Sequence, residues 1–192
     1  SDIQGELTRE TIKPVIKNLE TLRKAEGETV RVLAALSQAY FHQAQFSNDP
    51  AIADKAVALA ERAMRADPQA IEARIISGQA LYFLEKNEEA IKSFRAALNQ
   101  QPGNYDALIG LAWAYEGAQQ WKDALDFYQS TVTHWPNYWA SHNELGRFYF
   151  TQKRYAEARD EWQRVIQLNP DGLMGWVNLG HAHLYLNEYT QA

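Results

Sequence analysis

Four prolines stand 34 residues apart in this chain, at Pro68, Pro102, Pro136 and Pro170, and alanines keep the same interval at Ala56, Ala90, Ala124, Ala158 and Ala192. Two residue types sharing one period over most of 192 residues restrict the chain to a repeat architecture, in which each unit buries its apolar face on the next. Between the markers, apolar residues fall into two stretches with helical spacing, split by polar breaks such as Glu85-Lys86-Asn87 and Thr151-Gln152-Lys153. Each unit therefore reads as a helical hairpin. Proline cannot continue the second helix and biases the residue before it away from α geometry, so the chain reverses at a fixed place. Asn104 and Asn137 are expected to cap the helices that follow.

The unit from Trp139 to Gly172 carries Leu145-Gly146, Tyr149, Ala158, Trp162 and Pro170, and the unit from Tyr105 to Tyr138 carries Leu111-Ala112, Tyr115, Ala124, Tyr128 and Pro136. The unit from Ile71 to Asn104 departs at Ser77 and Leu81 but keeps Gly78, Ala90, Phe94, Ala97 and Pro102. On these residues the chain resembles the tetratricopeptide repeat, whose length and signature they share. The resemblance implies an all-α fold, a right-handed superhelical α-solenoid of helix-turn-helix repeats, over residues 13–192. Its expected divisions are a degenerate half repeat at 13–29, a repeat with a seven-residue insertion at 30–70, regular repeats at 71–104, 105–138 and 139–172, and a truncated repeat at 173–192.

The insertion follows from Leu36-Ser37 and Tyr40, which look like first-helix markers although Ala56 comes seven residues late. Seven residues are about two helical turns, so lengthened helices are expected to meet at Ser47-Asn48-Asp49-Pro50. Val15, Leu19 and Leu22 mark the half repeat, with Gly27 in place of the closing proline. Pro14 is best tolerated in a first turn, which starts the opening helix near Lys13 and leaves residues 1–12 loosely held or in a separate turn. A start at Ser rather than Met suggests an excised or processed chain.

Lys and Arg number 19 against 24 Asp and Glu, a formal charge of -5, so no overall positive field draws the chain to nucleic acid or anionic lipid. No apolar run is long enough to span a bilayer, and the absence of cysteine removes disulfides, thiolate metal sites and thiol nucleophiles. The chain reads as soluble, in cytosol or periplasm.

Repeat positions 4, 7, 8 and 11 of each first helix are expected to pack on the second helix, with Gly78, Ala112, Gly146 and Gly180 permitting close approach. Positions 2, 5, 9 and 12 form another stripe, which in tetratricopeptide proteins lines the concave surface. The resemblance thus implies a partner-binding groove of Gln38, Phe41, Ile75, Gln79, Tyr82, Ile109, Trp113, Glu116, Asn143, Arg147, Phe150 and His181, with Trp113, Arg147, Tyr82 and Phe150 as the preferred contacts. Some tetratricopeptide proteins clamp a terminal carboxylate with Lys and Asn on this stripe. Position 5 here holds Ala34, Ile75, Ile109, Asn143 and Val177, so that cradle is missing.

No catalytic constellation, metal site or cofactor is expected. His181 and His183 are turned by about 200° on a helix and cannot share one ion, and His142 stands in the same relation to Glu144. His183 replaces the usual Tyr inside the hairpin. The segment His134-Trp135-Pro136-Asn137-Tyr138-Trp139 reads as packing at a turn, with a convex-edge contact surface as the alternative. The run from Lys153 to Glu161 alternates in sign and reads as a solvated face with pairs such as Lys153 and Glu157. No phosphate loop, dinucleotide fingerprint or nucleophile elbow occurs.

The function that follows is a protein-protein interaction scaffold, not an enzyme, binding a peptide or helix in its groove. The alternatives are a regulatory segment of a larger bacterial signalling protein, a serine/threonine kinase or transcription regulator, or an envelope assembly factor. End-to-end self-association is expected because the helix from Leu173 lacks a covering hairpin half.

Overall fold

The computed structural model describes residues 8–186, which form helices joined by short turns, with no strand among them. They gather into two compact units, Ser1–Gln119 and Gln120–Ala192, so the sequence repeat 105–138 has its two helices in different units. The first unit holds α1 (Ile12–Glu26), α2 (Val30–Ser47), α3 (Pro50–Ala66), α4 (Ile71–Phe83), α5 (Asn87–Leu98) and α6 (Tyr105–Gly117). The second holds α7 (Trp121–His134), α8 (Trp139–Thr151), α9 (Tyr155–Leu168) and α10 (Leu173–Tyr185). Within each unit successive helices pack on one another, and in the first α2 also touches α4 and α4 touches α6, as stacked hairpins require.

The proline period has a local cause. Ala70 N donates to Asp67 O at 3.0 Å, and Asn104 to Gln101, Tyr138 to Trp135 and Gly172 to Asn169 at 3.1 Å each. These are β-turns with proline in the second place, where its fixed φ is already correct. Asn104 then caps α6 through its side chain, accepting from Ala107 N at 3.0 Å. Asn137 does not cap α8: the capping position belongs to Tyr138, whose side chain makes no cap hydrogen bond.

A second device recurs at repeat position 4. Arg74 Nη2 donates to Pro68 O at 2.8 Å, Trp176 Nε1 donates to Pro170 O at 3.0 Å, and His142 Nε2 lies 3.0 Å from Pro136 O. Position 4, expected to pack on the second helix, also ties the turn that precedes it at these three places, while Leu33 and Leu108, which have no donor to offer, are buried.

The break between helices of one hairpin also repeats. Glu85, Gln119 and Lys153 are left-handed at φ 58, 59 and 60, and in the first and last of these turns the next amide reaches back five residues, Lys86 N to Leu81 O and Arg154 N to Tyr149 O at 2.9 Å. Close approach occurs where small residues face a ring. A Cβ at Gly78 would lie 2.8 Å from Phe94 and one at Gly146 would lie 2.7 Å from Trp162. Phe94 is also pressed against Gly110, so this buried ring sits between glycines of α4 and α6. A Cβ at Gly180 would meet nothing within 4 Å among the described residues.

The seven-residue insertion lengthens both helices of its hairpin, α2 to 18 residues and α3 to 17, meeting at the left-handed Asn48 with Asp49 capping α3. The opening helix begins one residue before the expected Lys13, after a turn in which Thr8 and Thr11 bond each other. Residues 1–7 and 187–192, with Ala192 and the expected start of the covering hairpin half, lie outside the described residues.

Candidate functional site

In the first unit, α2, α4 and the start of α6 enclose a recess of about 330 Å³ that brings together three of the expected groove residues, Gln38, Ile75 and Gln79. Ile75 is buried and forms the floor, while Gln38 and Gln79 stand at its edge, with His42, Glu72, Asn104 and Asp106 completing the lining. His42 was absent from the sequence-derived set although it lies one helical turn beyond Gln38, the spacing that places it on the same face.

The remaining expected residues of this unit divide by depth. Phe41 and Ile109 are buried, Phe41 edge-on to Phe83 with ring centroids 6.4 Å apart. Tyr82 is exposed and stacks on the half-buried Trp113 at 6.3 Å, and Glu116 is half-buried. The stacked pair is an aromatic shelf of the kind that anchors interfaces.

The second unit uses the same register differently. Arg147 donates from Nε to Glu144 at 3.1 Å and from Nη2 to Tyr128 Oη at 2.6 Å. Asn143 is buried and its amide oxygen accepts from Asn178 at 3.0 Å, joining α8 to α10. Phe150 sits among Tyr155, Trp162 and Tyr185 with centroids 5.1–5.5 Å away. His181 is exposed, and His183 is buried as its place inside the hairpin required. The expected Lys153–Glu157 pair is not formed: Glu157 pairs with Arg154 at 2.8 Å. Trp135 and Tyr138, read as packing, are 43% and 42% exposed.

His142 has partners on both sides. Its Nδ1 lies 2.7 Å from Glu161 Oε2 on α9, and its Nε2 faces the Pro136 carbonyl. Arg74 and Trp176, at the same register, can only donate to their turn carbonyls, so His142 Nε2 carries a proton too. With a carboxylate at Nδ1 as well, both ring nitrogens face acceptors, an arrangement that favours the imidazolium form. The Glu161 hydrogen bond raises its pKa above 6.5, burial opposes the rise, and the Pro136 carbonyl adds to it. The group is structural, a charged tie between α8, α9 and the preceding turn. Among the described residues no cluster of His, Asp and Glu has the geometry of a metal site, and no helix is long and apolar enough to cross a membrane.

Two family models of the tetratricopeptide repeat match the chain, one at residues 53–104 and 77–138, the other at 139–171, together more than half of its 192 residues. A curated relative, the CTR9 homolog of Arabidopsis thaliana, is 26% identical over 128 residues, 66% of this chain but 12% of that protein, so the chain spans a small fraction of the relative's length. Among solved structures, MamA from Desulfovibrio magneticus RS-1 superposes with a TM-score of 0.69 at 18% identity, covering 86% of this chain and 89% of that one. A thermophilic TPR protein of Thermus thermophilus, TTC0263, gives 0.76 at 13% identity over 91% and 92%. Cut9 in the APC/C Cut9-Hcn1 hetero-tetramer gives 0.75 at 18% identity, covering 96% of this chain and 35% of that one. The chain belongs to the tetratricopeptide-repeat family, a family of protein-interaction scaffolds.

Proposed function

We propose that this chain acts by binding, its first-helix stripe taking an extended peptide or a single helix of another protein. The observation that carries the reading is the recess of the first unit: an apolar floor at Ile75, amides of Gln38 and Gln79 at its edge, and the exposed Tyr82 ring stacked on Trp113. A preformed recess on rigid helices loses little conformational freedom when a segment docks. A photo-crosslinker at Gln79 is expected to capture a partner segment that the same group at Lys92, exposed on α5, does not. The partner so identified is then titrated against a chain with Tyr82→Ala and Trp113→Ala together. Equal capture from both positions, or an unchanged affinity in the double variant with intact helicity, sinks the groove.

The short coverage of the CTR9 homolog and of Cut9 supports a second reading, in which the array serves as the binding segment of a longer protein. A regulatory segment of a signalling protein and an envelope assembly factor are versions of it. Self-association belongs here too. Val177 is 46% exposed where Ile75, Ile109 and Asn143 at the same register are 8%, 3% and 7% exposed, and Leu173, Met174 and Leu184 of α10 are exposed with it. Sedimentation should show mass rising with concentration, and Val177→Glu should abolish the rise; a constant monomer mass refutes it.

A further inference from the structure

Several carboxylates in this protein meet a cation. Glu20 pairs with Arg23, Asp54 with Lys86, Glu144 with Arg147 and Glu157 with Arg154. Glu72 and Asp106 do not. They line one recess, at the first turns of α4 and α6, with no Lys or Arg in its lining, and neither side chain has a partner among the described residues. Arg31 shares an adjoining recess with Glu72 and forms no ion pair with it. The macrodipole favours an acid in a helix's first turn, which explains each carboxylate's position on its own helix but not the convergence of both on a cavity without a countercharge.

The amides of Gln38 and Gln79 at the same recess are likewise without a side-chain partner among the described residues. A primary amide offers one acceptor and two donors, which matches the paired N–H and C=O of an extended peptide backbone. A volume of about 330 Å³ is at the small end of ligand pockets, about 300–1,000 Å³, and suits one or two side chains rather than a folded surface. Resting on the scaffold reading above, we infer that this recess takes the Lys or Arg side chain of a bound peptide, seated between Glu72 and Asp106, while Gln38 and Gln79 hold the peptide's backbone. The occupant is a basic segment of another protein. It fits a chain of formal charge -5 whose stripe in this unit carries more acid than base.

The test uses three pools of capped heptapeptides, random except at a central Lys, Met or Glu, selected on the immobilised full chain. The Lys pool should be retained about fivefold over the Met pool, and the Glu pool least, with the preference shrinking at high salt, as expected for two exposed charge contacts. Glu72→Gln with Asp106→Asn should erase the Lys preference yet leave the Met pool bound, and each single variant serves if the double one loses helicity. Lys and Met pools retained equally, or a preference that survives the double variant, overturns the inference. If the Met pool still depends on Trp113 and Gln79, the scaffold reading stands without it. If no pool is retained, or retention ignores Trp113→Ala and Gln79→Ala, both readings fall.

Discussion

At matching register the two units put polar side chains to opposite uses. In the first, Gln38 and Gln79 at position 9 and Glu72 and Asp106 at position 2 line a recess without partners among the described residues. In the second, Arg147 at position 9 is tied to Tyr128 and Glu144, and Asn143 at position 5 is tied to Asn178. A polar group already bonded in a buried setting stabilises its own fold and must break that bond to serve a partner, whereas one facing water exchanges water alone. On the proposed reading, the polar groups of the first unit recognise a partner, while those of the second hold that unit together.

The largest effects should appear where the units agree. Phe94 and Trp162 occupy the same place in their repeats, each against a glycine and each buried. Phe94→Ala and Trp162→Ala should each cost about 3–5 kcal/mol in urea unfolding, since a ring is lost and the cavity cannot close. A loss confined to one of them would break the comparison at its base.

Next comes position 4, where the devices look alike and the energetics differ. His142→Ala strands the partly buried Glu161 and frees the Pro136 carbonyl, and should cost about 2–3 kcal/mol; Arg74→Ala frees the exposed Pro68 carbonyl and should cost under about 1 kcal/mol. The pH dependence separates them further. A histidine whose folded pKa is raised contributes stability that is fully present below its unfolded pKa, near 6.5, and lost as pH rises through the folded value. Stability of the chain should therefore fall as pH rises above about 6.5 and through the folded value, with Glu161 and Arg164 the charges that face this residue, and His142→Ala should flatten that part of the profile. An unchanged slope would show that the imidazolium tie is absent.

The period made the hairpins, their turns and the insertion legible, because each depends on residues a few places apart. Depth was not legible. The stripe at positions 2, 5, 9 and 12 shares one helical face, but Phe41, Ile75, Ile109 and Asn143 are covered and Gln38 is not, since cover comes from side chains on other helices. The same limit hid the role of His142. Its neighbour Glu144 is two places away and badly placed, while Glu161, which it meets, is 19 places away on α9. Asn137 failed as a cap for a local reason: the β-turn hydrogen bond ends at Tyr138, and the capping position goes with it.

Smaller effects test the polar contrast directly. Asn143→Ala leaves the Asn178 amide without its acceptor and should cost about 1–2 kcal/mol, whereas Gln79→Ala, with no such bond, should stay within about 0.5 kcal/mol. Binding of a peptide should reverse the order, with Gln79→Ala the more damaging in a fluorescence titration. If Asn143→Ala proves the cheaper of the two for stability, the division of labour between the units is wrong.

The smallest effect is a control on all of these. Glu85 in the first unit and Lys153 in the second hold left-handed backbone with side chains that disfavour it, at φ 58 and 60. A Cβ costs about 1–2 kcal/mol in that conformation, and glycine removes the cost while widening the unfolded ensemble, so the net gain from Glu85→Gly or Lys153→Gly should be about 0.5–1 kcal/mol. Each residue closes a turn with the same amide bond to the same register position, Lys86 N to Leu81 O and Arg154 N to Tyr149 O, so the two gains should match. Lys153 lies beside the Arg154–Glu157 pair, which is exposed and contributes little, so it should not separate them. Matching gains in thermal melts would show that backbone geometry is common to both units and that their difference resides in the stripe. Unequal gains would place part of that difference in the turns.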